Sequence, residues 1–247
     1  ASDVYKRQQL VKALKELEAH GAISHNHEIL VIPSVNRFSM NVGKRFWPTD
    51  NSDINRAFPG DVNGDTTKQI AGTLFDRIKG YSYGIHFASF YMPGDFIPHV
   101  KMMDTGFQSA SLANLFGLPY VIEAKSRPFD RTTLHNNWQR NGTEAFSLYT
   151  GMTGKIDDEL ATQAVSSILR FLTRMGIIRY YSHSGYIASV LKESDLEPIM
   201  TEAAGIFIRK AECGQEVSRG DVLAQIMKAD SGEIISEVTC LLYTSPS

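Results

Sequence analysis

Cysteine is nearly absent: the 247 residues hold two, Cys213 and Cys240. That excludes a disulfide framework and a thiolate metal cluster, and it fits a reducing compartment, so a cytoplasmic location is expected. Long apolar runs are also missing. None approaches the roughly 20 residues that a membrane-spanning helix needs. Neither sign of charge dominates. The formal net charge of -2 gives no electrostatic reason to expect nucleic acid or an anionic membrane as partner. Internal repeats and low-complexity segments are lacking. What remains is ordinary for a globular protein, with 43% apolar and 21% charged residues.

The two ends read differently from the rest. Asp3–Gln8 and Cys240–Ser245 can be encoded by opposite strands of one DNA end, shifted by one base, as a transposon-type sequencing adapter would be. Residues 1–8 and 240–247 are therefore read as non-native and set apart from the fold, with the natural chain expected to continue past both. About 230 residues are left, enough for one sizeable core and a small second module.

Along that stretch the apolar period alternates between helix and strand. Gln9–His20 carries Leu10, Leu14 and Leu17 at helical spacing and stops at Gly21. Glu28–Pro33, with Ile29-Leu30-Val31-Ile32, predicts a buried strand. Asp65–Lys79 is an amphipathic helix with Ile70, Leu74 and Ile78 on one face. Tyr83–Ala88 reads as strand, Ser109–Phe116 as helix, Pro119–Glu123 as strand, Thr132–Gln139 as helix and Ala145–Tyr149 as strand. Asp157–Met175 is a long helix, capped by Asp157 and ended by Gly176. Such alternation predicts an α/β domain over 9–180, with a mostly parallel mixed sheet flanked by helices. Beyond it, short apolar runs between glycines predict a small β-rich module over 181–239, truncated and barrel-like.

The residues with chemical character cluster in the long connection Asn36–Gly60. A connection of that length is functional or disordered, and Phe38, Phe46, Trp47 and Phe58 argue against disorder. It ends in Asp53-Ile54-Asn55-Arg56-Ala57-Phe58-Pro59-Gly60. An Arg fork grips a carboxylate in two parallel bonds, and a neighbouring Asn adds directional ones. The alternative is an Arg paired with Asp50 or Asp53 to pin the loop. His86 closes a strand pattern where an imidazole suits a metal, although a satisfied core histidine is the alternative. His25 and His27 read as a solvated turn. His135 lies in a polar segment that either lines a cleft or faces solvent on a helix. In the last module, Met227-Lys228-Ala229 invites comparison with an acceptor lysine, but a tight hairpin through Asp230-Ser231-Gly232 is the ordinary explanation.

Asn36, Arg45, Asp53–Gly60 and His86, in that order, resemble the succinylglutamate desuccinylase/aspartoacylase family of the zinc carboxypeptidase clan. The family's stretch is Asp-Leu-Asn-Arg-x-Phe-Pro-Gly, with Ile54 here in place of the Leu. The segment Phe96–Val100 resembles the family too, and the likeness covers most of Gln9–Ile178. By that resemblance, Asn55 and Arg56 hold a substrate carboxylate, Arg45 helps to polarise the scissile carbonyl, and His86 is the third ligand of a Zn2+ ion. The family's first two ligands, a His and a Glu, would precede Gln9. Two positions depart from the pattern. Gly84 stands where the family has an Asp, two residues before the histidine. Tyr149 stands where it has the general-base Glu, which leaves Glu123 as the nearest carboxylate candidate for the catalytic base, or else paired with Lys125 or Arg127.

The resemblance implies a zinc-dependent hydrolase that cleaves the amide bond of an N-acylated amino acid or similar small carboxylate. This chain is expected to be inactive by itself, since two of the metal ligands would lie upstream of it. A zinc carboxypeptidase acting on peptide C-termini, and a non-catalytic binding protein on the same scaffold, are the alternatives.

Overall fold

The computed structural model describes residues 2–44, 46–88, 94–106, 110–151 and 156–241. The chain divides into two units, Ala1–Glu193 and Ser194–Ser247. The division falls later than the 180/181 boundary expected from pattern. The reason is a short strand, Ser189–Lys192, that pairs in parallel with Tyr120–Lys125 and so belongs to the first sheet.

That first sheet holds β1 (Tyr83–Ala88), β2 (His99–Asp104), β3 (Tyr120–Lys125), β4 (Glu144–Tyr149) and β5 (Ser189–Lys192) in the order β1-β4-β2-β3-β5. Only the β2–β4 pair is antiparallel, so the sheet is mixed and mostly parallel, as predicted. Among the described residues six α-helices accompany it: α1 (Ser2–Ala19), α2 (Arg37–Asn41), α3 (Thr66–Ile78), α4 (Ala110–Asn114), α5 (Leu134–Arg140) and α6 (Asp158–Arg174).

Side chains alternate across a strand, and the register divides the sheet into two faces. One face carries Phe87, Phe146, Leu148, Val100, Met102 and Val121, all buried in a core that α1, α4 and α6 complete. Phe116 and Phe171 stack there at 4.4 Å. The other face carries Gly84, His86, Ser147, Lys101 and Ala124. It packs on α3 and α5 through a smaller cluster of Phe58, Ala71, Phe75, Ile78, Trp138 and Ala145.

The helices form where sequence chemistry places them. The Asp65 side chain accepts the Lys68 N–H and caps α3, whose buried Thr67, Ala71, Phe75 and Ile78 recur at helical spacing. Asp157 caps α6 in the same way, and Gly176 follows it at φ 72°. Helix α1 begins at Ser2, not Gln9. Tyr5 donates to Asp158, Lys6 to the carbonyl of Thr150 and Arg7 to that of Pro33.

One predicted strand does not form. Glu28–Pro33 is extended but pairs with no strand. Ile29–Ile32 and the β1 residues line one cavity of about 1190 Å³, and no strand of the described residues pairs with the run. β2 and β5, by contrast, form where no strand was predicted.

The second unit is a three-stranded antiparallel sheet of β6 (Ile206–Arg209), β7 (Val222–Met227) and β8 (Ile234–Thr239), in that spatial order. Ala224, Ile226 and Cys240 are its buried side chains among the described residues. Lys228 sits in the β7–β8 hairpin, where its N–H donates to Glu233 and its carbonyl accepts from Gly232, as the turn reading predicts.

Candidate active site

The cavity beside β1 collects most of the residues singled out by sequence. Asn55, Arg56, His86, His135, Ser147 and Tyr149 all line it. The Asn55-Arg56 pair sits in a single 3-10 turn, Ile54–Arg56, capped by the Asp53 carboxylate accepting the Asn55 N–H at 2.9 Å. The turn is locked onto the start of α5. Asn55 Oδ1 accepts the Leu134 N–H at 3.1 Å, and the Phe58 N–H donates to the Thr132 carbonyl. Upstream, the Asp50 carboxylate accepts from the N–H and hydroxyl of Thr67 and from the Ser52 N–H, tying the long connection to the first turn of α3. The Thr67 hydroxyl holds that carboxyl below its ordinary range. Asn36 serves as a local cap, accepting the Ser39 N–H at the start of α2.

Gly60 closes the connection at φ 97°, and its backbone lies against α3. A Cβ there would come within 2.1 Å of the Gly72 nitrogen, so only glycine fits on both counts.

Arg56 is exposed at the cavity mouth. Its Nη1 donates to the Phe129 carbonyl at 2.9 Å, and its guanidinium lies 5.0 Å from the centre of the Phe129 ring. Arg127 approaches the same ring, with its guanidinium 5.8 Å from the centroid, and is itself paired with Glu193. Asp50 accepts from Thr67 and Ser52, and Asp53 accepts from the Asn55 N–H. One edge of the Arg56 fork is thus spent on a carbonyl and the rest faces outward.

His86 stands on β1 directly across from Ser147 on β4. Its Nε2 lies 2.5 Å from the Ser147 hydroxyl, and His135 Nδ1 approaches the same hydroxyl at 2.8 Å. The two rings are 5.9 Å apart. His135 is only 4% exposed, so the surface-helix alternative for this residue is overturned; its Nε2 is buried with no hydrogen-bond partner among the described residues. Burial pushes His86 down to about 4 and His135 to about 3, the latter with help from His86, so both are neutral at physiological pH. Sequence pattern alone singles out neither Ser147 nor Trp138. The signal available for them is the spacing of His135 and Trp138, which places both on one face of α5.

The two departures have packing explanations. A Cβ at Gly84 would lie 2.7 Å from Cδ2 of Trp138, so the indole occupies the space a side chain would need. The ring also meets His86 edge-on at 6.1 Å. Tyr149 is stacked on His99 at 4.8 Å with the rings nearly parallel, and Phe96 meets it edge-on.

The remaining predicted residues are placed otherwise. Arg45 lies outside the described residues. Glu123 is not brought to His86: the register sets it beside Met102 on the opposite face of the sheet, away from the cavity. His25 and His27 are exposed at a turn, as expected.

Two imidazoles face the cavity, but among the described residues no three His, Cys, Asp or Glu side chains converge to hold a metal. A catalytic zinc takes three protein ligands. The described residues therefore do not complete a zinc site. Nor does any described helix have the length and apolarity to cross a membrane.

Comparison with known proteins gives this architecture its relatives. The chain is 26% identical over 223 residues to the N-alpha-acetyl-L-2,4-diaminobutyric acid deacetylase of Halomonas elongata, and that match takes in 80% of this chain and 60% of the relative's length. Among solved structures, the succinylglutamate desuccinylase/aspartoacylase of Rhodobacter sphaeroides superposes with a TM-score of 0.76 at 22% identity, over 96% of this chain and 74% of that one. The product-bound ectoine utilization protein EutE (DoeB) of Ruegeria pomeroyi does so with a TM-score of 0.71 at 21% identity, over 85% and 66%. At such identities the structures establish the fold alone. The family model of the succinylglutamate desuccinylase/aspartoacylase catalytic domain matches residues 8–175, and the chain belongs to that family.

Proposed function

We propose that the protein is a hydrolase that removes an acyl group from an N-acylated amino acid or a similar small carboxylate. The family match over residues 8–175 carries the reading. The relative from Halomonas elongata is named for an N-acetylated amino acid, which is a small carboxylate of this class. The geometry supports it by opening one cavity to an arginine fork and a neutral imidazole pair. In this reading the outward edge of Arg56 takes the substrate carboxylate, the amide N–H2 of Asn55 adds a second donor, and His86 stands further in as a neutral base or ligand. Zn2+ is the cofactor the reading brings with it. A bound zinc polarises a carbonyl and acidifies water. The described residues by themselves fall short of holding it.

A non-catalytic binding protein is the second reading, and one observation favours it. The strand residues on the His86 face, from Gly84 across Ser147 and Lys101 to Ala124, include no carboxylate to serve as general base. Incubating the protein with N-acetyl-L-2,4-diaminobutyrate or N-succinylglutamate, with and without Zn2+, separates the two. Free-amine release that disappears in Arg56→Ala and His86→Ala supports the hydrolase. Calorimetric binding that Arg56→Ala abolishes, with no release under either condition, supports the binding protein. Neither release nor binding would sink both.

A further inference from the structure

Among the described residues, the cavity beside β1 has one half-buried cation that the protein leaves without a counter-charge. The four carboxylates lining the cavity are all engaged. Asp3 pairs with Lys6, Glu28 accepts from the Tyr81 hydroxyl, Asp130 accepts the Arg127 N–H, and Glu193 pairs with the Arg127 guanidinium. Of the other cations there, Lys79 pairs with Asp76, Arg7 and Arg56 donate to carbonyls, and Lys125 is exposed at the end of β3. Lys101 differs. It is half-buried, and its ammonium makes no hydrogen bond or ion pair with any described residue. Drawing an ammonium part-way out of water costs free energy that a fold ordinarily recovers with an opposite charge. Here a ligand anion would recover it.

Strand register fixes where that charge stands. Ser147 on β4 is paired with His86 on β1 and with Lys101 on β2, so the three share one face of the sheet. Neighbouring strands lie about 4.8 Å apart, which sets the backbone of Lys101 about 10 Å across the sheet from that of His86. Burial is the main reason that His135 and His99 lie below the ordinary imidazole range, and the charge of Lys101 adds to it in both. The ammonium is thus within electrostatic reach of the imidazole pair. The cavity offers two cations to a ligand at this site: Arg56 at its mouth, and Lys101 two strands over from His86.

We propose that Lys101 is a specificity-determining residue that takes a carboxylate at the far end of the acyl group, so that the preferred ligand is an amino acid acylated by a short dicarboxylic acid. This rests on the reading of the cavity as a site for N-acyl amino acids. With the amino acid's carboxylate on Arg56 and the amide at His86, the acyl chain is the part of the ligand left to run towards β2. The four-carbon stem of lysine covers much of the roughly 10 Å between the strands, which leaves space for an acyl chain of about four carbons. A compact point charge on a flexible stem suits a carboxylate at a chain end.

Calorimetric titration of the whole chain with three ligands tests it: N-succinylglycine, N-butyrylglycine, whose chain ends in a methyl instead, and N-acetylglutamate, whose second carboxylate is on the amino acid. N-succinylglycine should bind roughly tenfold to a hundredfold more tightly than N-butyrylglycine. In Lys101→Met that preference should disappear, and in Lys101→Arg it should persist. Equal binding of N-succinylglycine and N-butyrylglycine by the wild-type protein would overturn the proposal and leave the hydrolase reading standing, and this comparison needs no variant to fold. A preference that survives in Lys101→Met would also overturn it. So would an N-acetylglutamate affinity that matches N-succinylglycine and falls equally in Lys101→Met, because Lys101 would then serve the amino-acid side. Binding of none of the three would sink the proposal together with the reading on which it rests.

Discussion

Replacing Gly84 by Ala is the sharpest probe of how this site is packed. The new methyl would lie 2.7, 2.8 and 3.0 Å from Cδ2, Cε3 and Cε2 of Trp138. Carbon atoms in contact prefer about 3.5–4.0 Å, so the indole must retreat by roughly 0.5–1 Å. It has little room, because Trp138 is 8% exposed and wedged among Phe58, Phe75, Ile78 and Ala145. Overpacking of this kind costs about 1–3 kcal/mol. In a unit of this size that lowers the melting temperature by about 2–10 °C. The strand itself would gain from the change, since Ala is favoured over Gly in a strand interior by about 0.5–1 kcal/mol. The two effects separate in a double-mutant cycle measured by urea unfolding. In a Trp138→Leu background the clash is gone, and Gly84→Ala should become neutral or stabilising. Equal destabilisation in both backgrounds would refute the reasoning, because the penalty would then not arise from the indole.

Three further outcomes follow from the site geometry. Arg56→Lys keeps the charge but loses the fork, so turnover or binding of a carboxylate substrate should fall roughly tenfold to a hundredfold, and the loss should shrink when the carboxylate is replaced by an amide; equal losses on both ligands would mean that Arg56 only holds Phe129 in place. Burial keeps His86 near 4 and His135 near 3, below the ordinary 6.5, so the unfolded chain binds more protons than the folded one between those values. Stability should therefore fall as pH drops below 6.5, by up to about 1.4 kcal/mol per pH unit for each ring, and His135→Gln should flatten the slope in urea titrations. Asp50→Ala releases the anchor on Thr67, so chymotrypsin should cut faster after Phe46, as peptide mapping would show.

Much of the fold is legible in the sequence because caps and periods agree. Asp65 and Asp157 announce α3 and α6, and Tyr83–Ala88 is a strand from end to end. The misreadings have physical causes. Ile29–Ile32 has the composition of a buried strand, but pairing needs a neighbouring strand, and among the described residues none pairs with it. β2 escapes a pattern reading because His99 and Lys101 interrupt its apolar run. Those residues face the cavity side while Val100 and Met102 fill the core behind, an alternation too short to register. Ser189–Lys192 becomes a strand only because β3 offers an edge, which no local pattern encodes. Within the site, Asn55, Arg56 and His86 are visible through motif spacing. His135 is not, because a polar helix residue with buried neighbours cannot be told from a solvated one until α5 is placed against β4.

The departures at Gly84 and Tyr149 look, in sequence, like independent losses. In the fold the first is tied to α5. Trp138 crowds any side chain at 84, and His135, one turn earlier, supplies the bond to Ser147 that reaches His86. The polar contact of His86 thus reaches it across the sheet, from Ser147, and not along the strand from position 84. Tyr149 follows a different logic, since its ring is taken up by His99 and Phe96 at the far end of β4. A phenol is a poor base at neutral pH. The neutral imidazoles then stand beside the carboxylates that line the same cavity, Asp3, Glu28, Asp130 and Glu193, as candidates for a general base. His86 and His135 are the neutral imidazoles on this cavity wall, and their shared serine makes them one unit.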